Sequence, residues 1–216
     1  MMVEEDRGTE DALFESFQTN LLRSLKEGDS FTDVSLHLGR QGSGTAIINC
    51  HRHMLAAQSP VFAQLFLQAA NSSQHLTSAK GGKVSLRVEC DPDAFNDVIT
   101  YMYCGRISVR AEHAVELLSI CVHYEIEPLS RLYSQFLDSY LAVETVNVLL
   151  TSALQFGVEA LVERCEGFIV RNASQTMTHP TMEVVPEEEL CRLLDEDALQ
   201  ILEIEAFVAV LRWGRA

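Results

Sequence analysis

Cys50, His51 and His53 fall within four consecutive positions of the stretch INCHRHMLAAQSPVF, residues 47–61. A thiol and two imidazoles this close together are the residue types of a zinc site or of a Cys/His nucleophilic pair. Each chemistry makes a geometric demand. A tetrahedral zinc site needs four convergent ligands, but on a strand residues 51 and 53 share a face that 50 does not. On a helix residues 51 and 53 lie roughly 200° apart. A fourth ligand would have to come from His37, His75 or Cys90. A cysteine nucleophile needs a base held by a third group and an oxyanion hole, and nothing in the sequence pairs such groups with Cys50. The preferred reading makes Cys50 a buried strand residue. It makes His51 a half-buried residue at a strand-to-helix corner, hydrogen-bonded to backbone. A metalloprotein or Cys/His enzyme using Cys50, His51 and His53 is the alternative from another class. No catalytic residue, metal ligand or cofactor is assigned.

The elements that must position this stretch begin upstream. Residues 12–28 carry Leu13, Phe14, Phe17, Leu21, Leu22 and Leu25 at three- and four-residue steps, the spacing of an amphipathic helix that stops near Gly28. Residues 1–11 read as a loose tail. Val34, Leu36 and Leu38 alternate as a strand, residues 46–50 form a second, and the glycine-rich GRQGSGT between them reads as a hairpin loop. That loop and Gly81-Gly82-Lys83 lack the phosphate-cradling pattern of a P-loop. Two short helices follow, Arg52 to Gln58 and Pro60 to Ala70, the second capped by Ser59. A polar stretch, NSSQHLTSAKGGK, leads to a third strand at Val84, Leu86 and Val88. Asp91-Pro92-Asp93 then opens a helix with Phe95, Val98, Ile99 and Met102 on one face. Ile107-Ser108-Val109 reads as a brief extended piece, and every later element is helical. The expectation is an α+β domain over 12–141 and an all-α domain over 142–216.

Composition narrows the function. The net charge is −15, which argues against nucleic acid and anionic membranes as partners. From Val34 to Val88 there is no Asp or Glu, and five basic residues give that segment +5; the rest of the chain carries −20. Eight acids against one arginine lie between Pro186 and Glu205, read as a solvated face. The six cysteines are irregularly spaced and read as reduced, mostly buried small hydrophobic side chains. No apolar run has the length of a membrane span and the acidic N-terminus is unlike a signal peptide. An intracellular location follows, cytoplasmic or nuclear, which also discounts the glycosylation patterns at Asn71 and Asn172.

Among the ionisable groups Asp33 stands out, because it opens the first strand beside the acid-free segment. Arg52 lies just after the second strand, so an antiparallel hairpin brings the two to one end as a buried pair.

The segment FTDVSLHL…IINCHRHMLAAQSPVFAQLF resembles the opening of the BTB (POZ) domain, through Asp33, Val34, His51, Arg52, Leu55, Ser59 and Phe62. AFNDVITYMYCGRISV, residues 94–109, looks like that family's Phe…Tyr-x-Tyr-x-Gly segment, and residues 114–137 are similar to its closing helical pair. Residues 141–213 resemble the first part of the BACK domain that often follows. The resemblance implies the BTB fold, a short three-stranded sheet flanked by helices, then a helical BACK-like segment. It also implies a homodimer in which Phe14, Phe17, Leu21 and Leu25 pack across a two-fold axis and Asp33 and Arg52 line a charged pocket at the groove. The implied role is a substrate adaptor for a cullin-RING ubiquitin ligase, with an unidentified substrate protein. A dimerisation scaffold without cullin binding is the alternative. The hydrophobic-x-Glu signature of many cullin-binding members is absent, since no Glu occurs between Glu27 and Glu89. Phe66, Leu67 and Tyr124 are the residues expected to offer a cullin apolar contacts. The 216 residues contain no Kelch propeller or zinc-finger array.

Overall fold

Strands of alternating apolar residues pair only where a partner edge lies within hydrogen-bonding reach, and three do so in the computed structural model. They are β1 (Val34–Leu38), β2 (Ala46–Cys50) and β3 (Val84–Val88). The structure describes residues 3–26, 31–40, 45–71 and 83–215. The sheet order is β2-β1-β3, with β1 antiparallel to β2 and parallel to β3. Val34, Leu36 and Leu38 are buried while His37 is exposed, so β1 turns its apolar face to the core. Val34 pairs with Cys50, which puts Cys50 on the same inward face.

By residue contacts the chain divides into two compact units, Met1–His113 with Ile120–Glu127 and Ala114–Ser119 with Pro128–Ala216. The first unit holds the sheet with helices α1 (Val3–Lys26), α2 (Arg52–Gln58), α3 (Pro60–Asn71) and α4 (Pro92–Cys104). Its core joins Leu55, Phe62, Phe95, Ile99 and Met102 to the strand residues. Asp91 caps α4, accepting from the N–H groups of Asp93 and Ala94. Gly105 ends the helix in the left-handed region at φ 67°, as a C-terminal glycine does without steric penalty. Helix α5 (Ala114–His123) gives residues to both units, as does α6 (Glu127–Asp138).

The second unit contains α7 (Val146–Phe156), α8 (Glu159–Arg171), a single turn α9 (Ala173–Thr176), a 3₁₀ turn (Pro180–Val184), α10 (Glu187–Leu194) and α11 (Glu203–Trp213). Leu150, Ala153, Leu161, Cys165 and Ile169 are buried within it. Asn147 is also fully buried, and its amide donates to the Thr176 carbonyl (3.0 Å) and the Thr181 hydroxyl (3.1 Å).

Two expectations need correction. Helix α1 begins at Val3, so residues 3–11 are helical and not a loose tail. The segment before α10 contains the turns at 173–176 and 180–184 where only loose chain was expected. Gly28, most of GRQGSGT, Gly81-Gly82 and nearly all of NSSQHLTSAKGGK lie outside the described residues.

Candidate functional site

Helix α1 packs inside out. Gln18 is 6% exposed, and its amide donates to the Cys104 carbonyl at the end of α4. Gly105 follows at once, and the Gln18 amide nitrogen lies 4.0 Å from where a Cβ would project there. The polar anchor fixes the rotation of α1. Leu13, Phe14 and Phe17 then point away from the unit's core, with Phe14 and Phe17 57% and 58% exposed, and Leu21 and Leu25 are half-buried. A Glu15–Arg106 ion pair (3.2 Å) holds the exposed edge. The sequence pattern identified this stripe but not the buried Gln18 that turns it outward.

Asp33 and Arg52 meet as expected. The carboxylate accepts from the Arg52 backbone N–H (2.7 Å) and from Arg52 Nε (2.8 Å). The first contact supplies an acceptor to an otherwise orphaned N–H at the start of α2. His51, the residue before the helix, makes no cap of its own. Partial burial alone would raise the Asp33 carboxyl; the two hydrogen bonds and the charge of Arg52 outweigh it and hold the group below its ordinary value. The expected burial of this pair needs correction, because the side chains of Arg52 and Asp33 are 37% and 40% exposed. They sit at the end of the hairpin, where neither sheet face covers them. Two residues upstream, Phe31 is 95% exposed with φ 66°. A left-handed backbone disfavours a bulky side chain by about 1–2 kcal/mol, and no packing within the unit offsets that. Positive φ at a phenylalanine carries no signal in the sequence.

The Cys/His stretch does not assemble. Cys50 is buried, and desolvation, reinforced by the Asp33 charge, pushes its thiol up to about 12. A thiol so raised stays neutral and is a poor nucleophile. His53 is exposed. His51 is half-buried and bound to the Tyr103 hydroxyl, where a backbone partner was expected. That hydroxyl accepts the His51 N–H (2.9 Å) and lies 2.7 Å from His51 Nδ1. Burial raises the Tyr103 phenol, so it keeps its proton. The three polar groups form a closed corner between β2 and α4. Among the described residues no group of three or more His, Cys, Asp or Glu is placed to hold a metal ion, and no helix is long and apolar enough to cross a membrane.

Of the three residues expected to meet a cullin, only Leu67 is exposed. Phe66 and Tyr124 are buried in one aromatic cluster with Phe62, whose ring stacks on Tyr124 at 4.5 Å and on Phe66 at 5.9 Å. On α3 residues 62 and 66 share a face that 67 leaves, which separates Leu67 from them. Ser59 donates to the Tyr124 carbonyl and ties the start of α3 to the cluster.

Comparison with known proteins places this geometry. Residues 22–141 match the BTB/POZ domain and residues 147–216 match the BACK domain, described as BTB And C-terminal Kelch. BTB/POZ domain-containing protein 9 of Drosophila melanogaster is 28% identical over 172 residues, 78% of this chain and 23% of that protein. BTB/POZ domain-containing protein 17 of Xenopus laevis is 28% identical over 199 residues, 89% of this chain and 40% of its own length. Human BTB/POZ domain-containing protein 3 is 26% identical over 187 residues, 86% and 34% respectively. The chain thus spans between 23% and 40% of these relatives. Among solved structures, the BTB domain of zebrafish PATZ1 aligns at a TM-score of 0.45 and 22% identity, covering 57% of this chain and 90% of that one. BTB and BACK domains are typically non-catalytic interaction modules. The chain belongs to the BTB/POZ family, and a BACK domain follows its BTB domain.

Proposed function

We propose that this protein works as a homodimerising adaptor. Its BTB domain pairs with a second copy through the outward face of α1, and the assembly presents bound proteins to a cullin-RING ubiquitin ligase. Residues 12–141 form the pairing domain in this reading, and 142–216 the BACK segment that extends it. The observation that carries the dimer is α1 itself. It buries Gln18 against α4 and leaves Leu13, Phe14 and Phe17 uncovered. Uncovered phenylalanines on a long helix are costly in water and favourable once shared. BTB domains commonly homodimerise, and Phe31, Asp33 and Arg52 are the further contacts this reading assigns.

The cullin role rests on the family resemblance. Leu67 is the one expected contact residue that is accessible. Light scattering on the full chain, followed by a pull-down with purified cullin, tests both parts. Twice the chain mass with cullin retention is the expected result. A dimer that retains no cullin reduces the function to a scaffold, and a monomer removes the dimer altogether.

A further inference from the structure

The second unit buries a carboxyl group that its charges cannot satisfy. Glu189 of α10 has a side chain only 4% exposed, yet Oε1 has no hydrogen-bond donor. Glu166 of α8 shares its arginine: its side chain is 21% exposed, and its Oε1 is held by an ion pair and not by a directed hydrogen bond. One arginine serves both groups. Arg192 Nη1 lies 2.9 Å from Glu189 Oε2, and Nη2 lies 2.7 Å from Glu166 Oε1. Two carboxylates held by a single guanidinium leave one negative charge uncompensated, and the Glu189 side chain is the one buried away from water. The surroundings make this worse, since Asp195 and Glu196 line the same cleft of about 280 Å³, and Glu159 and Glu163 lie beside Glu166 and Arg192 in a neighbouring one. No further cation lines either cleft.

A single proton gives the orphaned Glu189 Oε1 a partner. We infer that Glu166 and Glu189 share one proton beneath Arg192, forming a carboxyl–carboxylate clasp between α8 and α10 that opens as pH rises. The proton bound to one carboxyl is donated to the facing oxygen of the other, and Arg192 neutralises the one charge left. The titration behaviour agrees. Desolvation raises the Glu189 carboxyl most, the hydrogen bond with Glu166 raises it further, and Arg192 opposes both; the group reaches about 7 from an ordinary 4.5. The proton then leaves to solvent near neutrality, and the two carboxylates repel.

A folded carboxyl that titrates above its unfolded value stabilises most at low pH. The contribution is complete below about 4.5 and is lost as pH rises through about 7. Thermal unfolding of the full chain between pH 5 and pH 8 provides the test, comparing the parent with Glu189→Gln. The neutral amide keeps a donor toward Glu166 at every pH. The parent melting temperature is expected to fall across this range relative to the variant, which melts higher at pH 8. Parallel profiles for parent and variant overturn the clasp. Isotope-edited infrared spectroscopy of the parent gives a second reading that needs no variant to fold. A protonated glutamate side chain seen at pH 6 and lost by pH 8.5 supports the proposal; complete ionisation at pH 6 refutes it.

Discussion

Helices α1 and α10 both bury a polar side chain with an unpaired oxygen, Gln18 Oε1 in one and Glu189 Oε1 in the other. The consequences differ. In α10 the apolar residues Leu190 and Leu193 still go inward beside Glu189. Its anomaly is one of charge, and a proton can cure it locally. In α1 the buried amide takes the inward face for itself and sends Leu13, Phe14 and Phe17 to the surface. Its anomaly is one of area, which only more protein surface can cure. In the two proposals, one helix depends on pH and the other on a partner.

Substitutions can break or sharpen this contrast. The largest effect is expected from Phe14→Glu combined with Phe17→Glu. Each copy loses two such side chains, four across the homodimer, at about 1.5–3 kcal/mol each, which weakens the dimer by at least about 10⁴-fold. Sedimentation equilibrium reads this directly, and an unchanged dissociation constant would show that the α1 face has no such partner. Next comes Glu189→Ala, which strips Arg192 of one partner and opens a hole between α8 and α10. A loss of roughly 2–3 kcal/mol at pH 6 is expected in urea unfolding, with dimer mass unchanged.

A smaller effect belongs to Asp33→Asn. The pair with Arg52 is partly solvated, so the loss at pH 7 is about 1 kcal/mol. Because the folded carboxyl titrates below its ordinary value, its contribution exists above the unfolded value of 3.8 and disappears as pH falls through the folded one. Parent and variant should therefore converge in strongly acidic urea titrations. The smallest effect is expected from Gln18→Leu. An orphaned oxygen is removed while the Cys104 carbonyl loses a donor, so stability moves by less than about 1 kcal/mol. A variant that becomes monomeric instead would mean that Gln18 sets the helix rotation more firmly than packing does.

The elements were largely legible because periodicity survives in the sequence. Alternation at Val34, Leu36 and Leu38 marked β1, and the cap at Asp91 with Pro92 marked the start of α4. The site was legible in part. Asp33 and Arg52 were paired by the logic of a hairpin, which any antiparallel register near theirs would satisfy. Their partial exposure was not visible, because it depends on what covers the hairpin's end. His51 was placed at the right corner with the wrong partner, since Tyr103 arrives from an element 52 residues away. Phe66, Leu67 and Tyr124 looked equivalent by type, and the aromatic stacking of two of them separated them.

By itself the sequence determined which residues lie on each helix face and strand, the family to which they conform, and the absence of Asp and Glu across residues 34–88. Those properties follow from local period and composition. Which face of α1 turns inward, that Cys50 is a neutral core thiol, and that Glu166 and Glu189 meet under Arg192 were decided only by the tertiary structure. Each depends on groups brought together from distant parts of the chain, and burial and electrostatic coupling are properties of that meeting.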